Sequence, residues 1–128
     1  MIYANPLEAD FKTLLESDAH LIVSDMKVEK GGQGSGMGPH DLLEAAMAAC
    51  MSITLRMAGN KHAIAVGTSV VAVELDRSDE NIARFRYEVK FDEIVPLEQR
   101  QRLIEILGRC PVSKTISREI VMEAVTGL

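Results

Sequence analysis

Tryptophan is missing from this chain of 128 residues, and aromatic side chains of any kind are scarce. With only two tyrosines and three phenylalanines, the core must be built from Ala, Val, Leu, Ile and seven methionines. Hydrophobic residues still make up 47% of the chain, which excludes global disorder and predicts one domain over residues 1–128. A small domain with so light a core often completes its burial by pairing with a second copy.

Positive charge is scarce as well. The net charge is −5, and no stripe of Lys and Arg with interleaved aromatics occurs, which argues against a nucleic-acid partner. Residues 1–6 lack the basic and apolar regions of a secretory signal. The most apolar stretch, residues 42–58, is interrupted by Glu44 and Arg56 and falls short of a membrane span. We therefore expect a cytoplasmic protein with no membrane partner.

Cysteine is limited to Cys50 and Cys110. In a reducing compartment a permanent structural disulfide is rare, so a shared role would be redox chemistry or metal ligation. No Cys-x-x-Cys or His-x-x-x-His spacing occurs, and His20, His40 and His62 stand singly near the ends of predicted elements. We expect no metal and no cofactor, and the elbow motif of a Ser-His-Asp hydrolase is missing too.

The hydrophobic pattern indicates an α+β fold, since strands and helices come in clusters rather than in strict alternation. A glycine-rich segment has five glycines in residues 31–38 but no Lys-Ser/Thr end, so we interpret it as a mobile connection rather than a nucleotide loop. The predicted strands are residues 11–17 and 20–28 as a hairpin, 64–76, 83–91 and 119–125, and the predicted helices are 39–58, 97–107 and a short one after Cys110.

The helix predicted from Pro39 or His40 to Ala58, with Gly59-Asn60 as its C-cap, is apolar almost all round. We expect it to be a long, buried, central helix. The face predicted to be most apolar comprises Leu43, Ala46, Met47, Cys50, Ile53, Thr54 and Met57, and the opposite face, of Leu42, Ala45, Ala48, Ala49 and Ser52, is mostly small.

The two cysteines differ in their local surroundings. Cys110 precedes Pro111 at a helix N-cap, where unpaired N–H groups and the neighbouring Arg109 favour a thiolate. Cys50 lies mid-helix, and no acid, base or cation shares its face, so taken alone it resembles a small core residue. Local physics thus favours Cys110 as the reactive thiol, with an inert helix cap as the alternative.

Two motifs stand out in the chain: Gly31-Gly32 followed by the segment from Gly38 to Cys50, and the segment from Gly108 to Ser117. Together they resemble the motifs of the osmotically inducible protein C and organic hydroperoxide resistance family. The resemblance implies a two-layer α+β fold with antiparallel sheets around the central helix, in an intertwined homodimer whose active sites lie at the interface. It also implies a peroxidase of oxidative-stress defence, in which Cys50 attacks the peroxide, Cys110 closes a disulfide with it, and an external thiol or dithiol reduces that disulfide.

The chain departs from the family at the partners of the first cysteine. The peroxidases of the family use an arginine from the N-terminal strands and a glutamate ten residues before that cysteine. Here that position is His40, Asp41 follows, and no arginine precedes Arg56. The chain is similar to the branch of general redox or stress proteins, and the cation beside Cys50 would be His40, Lys27, Lys30 or Arg109, or would be missing.

Two alternatives to a peroxidase remain open at this point. One is a non-catalytic module of the same fold that binds a small apolar molecule and carries its cysteines incidentally. The other is a thioesterase on a similar dimer, for which Asp41 or Glu44 is the available catalytic acid.

Overall fold

The computed structural model describes residues 1–127 and shows two compact units, Met1–Ala45 and a second that begins at Ala46. The first unit contains a three-stranded antiparallel sheet in the order β1 (Tyr3–Pro6), β2 (Thr13–Glu16), β3 (Leu21–Ser24). The predicted hairpin is confirmed as β2 and β3, which are shorter than predicted and are joined where Ser17 N–H donates to the carbonyl of His20. β1 was not predicted, because it is short and fully exposed.

The glycine-rich segment is organised around the carboxylate of Asp25, which is only 2% exposed. Oδ2 accepts hydrogen bonds from Gln33 N–H and from both the N–H and the hydroxyl of Ser35, and Oδ1 accepts from Met26 N–H. The Ser35 hydroxyl is the main reason why the pKa of Asp25 is lowered to about 2. The interpretation as a mobile connection therefore missed this hydrogen-bonded carboxylate.

We expect Asp25 to make the protein sensitive to acid. The folded-state pKa of about 2 lies below the ordinary value of 3.8, so the contribution of Asp25 to stability is complete above 3.8 and is lost as the pH falls toward 2. Asp25→Asn should lower the urea midpoint of unfolding at neutral pH. The difference between the midpoints of the variant and of wild type should become smaller in acid. Asp10→Asn, at an exposed site of the same unit, is the control. A midpoint difference that stays constant over this pH range would contradict the stabilising role of the Asp25 carboxylate.

The remaining elements are α1 (Pro39–Lys61), β4 (Val70–Asp76), β5 (Arg84–Lys90), α2 (Leu97–Leu107) and α3 (Pro111–Ile116). β4 and β5 form an antiparallel hairpin with Val73 opposite Tyr87. Its alternation of half-buried and exposed residues confirms the predicted pattern of β5. The second unit has a core of eight buried residues from α1, α2 and their flanks: Met47, Met51, Leu55, Ala58, Val95, Leu103, Leu107 and Cys110.

The face of α1 that is buried differs from the predicted one. Met47, Met51 and Leu55 are each 2% exposed, whereas Ile53 and Met57, expected in the core, are 50% and 66% exposed. The predicted apolar face of α1 is rotated from the observed buried face by roughly 100°, which is the angle between successive residues of an α-helix. An apolar residue does not have to be buried within its own chain, so periodicity alone could not choose between two apolar faces.

The C-terminal end of α1 was also placed too early. The helix passes through the proposed Gly59-Asn60 cap and ends at Lys61, and Gly59 is buried. A Cβ at Gly59 would lie 2.7 Å from the carbonyl oxygen of Ile64, so glycine is needed there for close packing rather than for helix termination.

One predicted strand begins too early, and another is not formed. The segment predicted to begin at Ile64 enters a sheet only at Val70, because the backbone is left-handed at Ala63 and Gly67, which breaks an extended run. Residues 119–125 form no strand. Ile120, Val121, Met122 and Val125 are 57–88% exposed. Although the segment is apolar in composition, it pairs with no strand of residues 1–127.

α1 has 23 residues and could cross a membrane by length and composition alone. The core helix of a soluble protein passes the same test, and α1 supplies four of the eight core residues of the second unit. The expected lack of a membrane partner stays a prediction, as do the cytoplasmic location and the lack of a nucleic-acid partner.

Candidate active site

Cys110 begins the short helix α3. It occupies the N-cap position, Pro111 follows at the first helical position, and the Ser113 N–H donates to Cys110 Sγ at 3.5 Å. The hydroxyl of Ser113 donates to the carbonyl of Gly108 at 2.8 Å, which ties this turn to the end of α2. The predicted N-cap geometry is confirmed.

Cys50 lies in the middle of α1, on the edge of the core, and is partly exposed. The N–H of Val112 in the first turn of α3 donates to Cys50 Sγ at 3.4 Å. Neighbouring amides of one turn therefore contact the two sulfurs, and both cysteines are free thiols in the structure. The fold brings together two residues that are sixty positions apart in the sequence.

The surroundings of Cys110 are apolar and closed. Its side chain is 0% exposed, and Sγ donates to the thioether of Met47 at 3.8 Å. Burial raises the pKa of the Cys110 thiol above its ordinary value of 9.0, and the neighbouring Cys50 sulfur raises it further. The N–H groups of Ser113 and Val112 act in the opposite direction but do not outweigh burial. The local preference for Cys110 as thiolate was therefore wrong.

The predicted supporting residues lie in different units. His40 and Asp41 are exposed residues of the first unit, where Asp41 Oδ2 accepts a hydrogen bond from Gly38 N–H at the start of α1. Lys27 and Lys30 also belong to the first unit. Arg109 directly precedes Cys110 and lines an open cavity of about 490 Å³ between α1 and α2. Of the proposed cations, Arg109 is thus the one that lies in the same unit as both cysteines.

Sequence reasoning missed two contacts of the site. The Val112 N–H beside Cys50 could not be found because it belongs to a distant segment. Met47 was named only as a residue of the apolar face, and its contact with Cys110 depends on how α3 packs on α1. As for a metal, no group of three His, Cys, Asp or Glu side chains suited to one occurs in residues 1–127.

The model of the OsmC-like protein family matches residues 32–125, which is most of the chain. The chain belongs to this family. The match spans the boundary between the two units at residue 45, and the single domain predicted for residues 1–128 stays a prediction. No curated protein matches the sequence.

Several solved structures share the fold. An OsmC-like protein from Mycoplasma pneumoniae is 21% identical with a TM-score of 0.70, over 91% of this chain and 86% of that one. An organic hydroperoxide resistance protein OsmC from Legionella pneumophila is 20% identical with a TM-score of 0.68, over 91% and 87%. An organic hydroperoxide resistance protein from Elizabethkingia anophelis is 21% identical with a TM-score of 0.64, over 90% and 86%. The predicted family and its mixed α and β fold with antiparallel sheets are confirmed.

The two thiols should differ strongly in alkylation. In Cys50→Ser, we expect the remaining Cys110 thiol to resist iodoacetamide at neutral pH, because it is buried and its pKa is raised. In Cys110→Ser, the partly exposed Cys50 should react at least about tenfold faster. Mass spectrometry of samples quenched over time gives both rates. The assignment fails if Cys110 in the folded protein is modified as fast as in the urea-unfolded protein.

Proposed function

We propose that this OsmC-like protein is a thiol-dependent peroxide reductase in which Cys50 and Cys110 alternate between dithiol and disulfide. The observation that carries the proposal is the meeting of both sulfurs at one turn, with Val112 N–H on Cys50 and Ser113 N–H on Cys110. Membership of a family that includes organic hydroperoxide resistance proteins supports an organic hydroperoxide or hydrogen peroxide as the substrate.

Cys50 is the proposed attacking residue. Its side chain is partly exposed, and the Val112 N–H donates a hydrogen bond to its sulfur. The thiolate attacks one peroxide oxygen, the O–O bond breaks, and the other oxygen leaves as an alcohol or water after taking a proton. Cys50 is thereby oxidised by two electrons to a sulfenic acid.

Cys110 is the proposed resolving residue. It is fully buried and held as a thiol, so a peroxide in solution does not reach it directly. Its sulfur displaces hydroxide from the sulfenic sulfur of Cys50, and the released proton makes that hydroxide water. The product is a Cys50–Cys110 disulfide, and two thiols supplied from outside return both residues to the reduced state.

The first test is peroxide treatment of wild type, Cys50→Ser and Cys110→Ser, followed by intact mass and peptide mapping. We expect wild type to lose two hydrogen atoms and form one intramolecular disulfide. Cys110→Ser should accumulate a sulfenic acid on Cys50, trapped with dimedone, and Cys50→Ser should stay unmodified because the buried thiol is not attacked.

Survival of both wild-type thiols in excess cumene hydroperoxide and hydrogen peroxide would overturn this function. The second candidate would then be a module that binds an apolar molecule. A cavity of about 500 Å³ favours it, lined by Met47, Met51, Phe85 and Tyr87 among others. That candidate requires both cysteine variants to keep ligand binding.

We also propose that the protein acts as a homodimer. Ala46, Ala49 and Ile53 are exposed at helical spacing on α1, and small residues allow another helix to approach closely. The apolar side chains of Ile120, Val121 and Met122 are exposed as well, so a second copy would bury surface that one chain leaves in water. The light aromatic content of the core supports the same arrangement.

Sedimentation velocity tests the dimer. Wild type should sediment as a dimer, and Ile53→Asp should weaken association on the order of a hundredfold, since an unpaired carboxylate would be buried. Ile94→Asp, at an exposed position of the β5–α2 connection, is the matched control and should leave the dimer intact. A monomeric wild type at micromolar concentration would overturn the proposal.

A further inference from the structure

The cavity that Arg109 lines is a groove between α1 and the segment that runs from α2 to Arg109. Thr54, Met57 and Lys61 line it from α1, Arg102 and Ile106 line it from α2, and Arg109 lines it from the turn two residues beyond the end of α2. The three α1 residues follow the three- and four-residue spacing of one helix face, and Arg102 and Ile106 are four residues apart on α2. We call this cavity the α1–α2 groove.

The two ends of the α1–α2 groove lie near different parts of the chain. Arg102 Nη2 lies 3.2 Å from His62 Nδ1, which joins the residue after the end of α1 to the middle of α2. At the other end, Arg109 precedes Cys110, and Cys50 precedes Thr54 by one helical turn, about 6 Å of rise. The two cysteines therefore adjoin the Thr54–Arg109 end of the groove along the chain.

The groove is positive in an acidic protein. The chain carries a net charge of −5, yet Lys61, Arg102 and Arg109 line this cavity against one acid, Glu105. Glu105 accepts a hydrogen bond from the Gln101 amide at 3.3 Å. Desolvation, followed by the nearby Arg102 and Lys61, lowers the pKa of His62, so this residue is neutral at neutral pH and the charge rests on the three other basic residues.

We propose that the α1–α2 groove binds a small anionic thiol and directs its sulfur to Cys50, so that the external reductant of the disulfide carries a negative charge. This inference rests on the proposed peroxide reductase function. A volume of about 490 Å³ suits a low-molecular-weight thiol. The positive field favours the reductant over the peroxide, because a thiol attacks as an anion and a hydroperoxide is neutral.

The reduction balances with two thiols. One thiolate attacks the Cys50 sulfur, the Cys50–Cys110 bond breaks, and Cys110 leaves as a thiolate that takes up a proton. Attack falls on Cys50 because Cys110 has no exposed surface. A second thiolate then attacks the outer sulfur of the mixed disulfide, releasing the oxidised reductant and the Cys50 thiolate.

The test starts from full-length protein in which the Cys50–Cys110 disulfide has been formed with peroxide and mapped. Its reduction is followed with mercaptoacetate, mercaptoethanol and cysteamine, which share a two-carbon frame and differ in charge. Each rate constant is divided by the thiolate fraction, and the same series on the urea-unfolded disulfide corrects for intrinsic reactivity. We expect mercaptoacetate to react fastest and cysteamine slowest, with a spread on the order of tenfold at low salt that collapses at high salt.

Reversing the charge of one groove residue tests whether the α1–α2 groove causes the preference for mercaptoacetate. Lys61→Glu should remove most of the preference for mercaptoacetate, whereas Arg84→Glu, an exposed change on β5 outside the groove, should leave it unchanged. Equal corrected rates for the three thiols, or a preference that survives Lys61→Glu, would overturn the groove proposal and leave the peroxidase intact. Failure of peroxide to form the disulfide would overturn both proposals.

Discussion

The packing of the first turn of α3 on the middle of α1 is the contact on which the site depends. Val112 N–H reaches Cys50 Sγ, and Cys110 Sγ contacts the thioether of Met47, so two sulfurs from distant segments share one small region. The Ser113 hydroxyl fastens this turn to the end of α2 through Gly108. A shift of one helical turn in α3 would break the contacts of both thiols, whereas β4 and β5 would keep their pairing.

Burial and hydrogen bonding act in opposite directions on the same thiol. An N-cap position beside unpaired amides favours a thiolate, and this alone would make Cys110 the more reactive residue. Desolvation dominates because the side chain is completely enclosed, which raises its pKa. Cys50 receives one amide hydrogen bond and keeps access to solvent. The proposed division between an attacking and a resolving cysteine therefore rests on exposure and does not need an arginine from the N-terminal strands.

Local patterns predicted the elements better than their burial. The alternation around β5 and the proline and glycine that bound α2 determine those elements directly, and both were placed correctly. The core face of α1 was not predictable, since Ile53 is as apolar as Leu55 and only tertiary packing separates them. Residues 119–125 failed for a related reason, because strand propensity needs a neighbouring strand. The cysteine pair was found through the family motifs, and the amide of Val112 leaves no mark in the sequence.

The differences between predicted and observed structure identify apolar surface that a single chain leaves exposed to water. Ile53 and Met57 were expected to be buried, the segment around Met122 was expected to form a strand, and all of these residues are exposed. Exposed apolar side chains on a core helix are costly to keep in water, which is the physical argument for a second copy. Met57 differs from Ile53 because it lines the groove between Lys61 and the cysteines. An apolar floor with cations at both ends suits a small organic anion better than a protein surface, so the proposed dimer contact and the proposed thiol site use different exposed residues of α1.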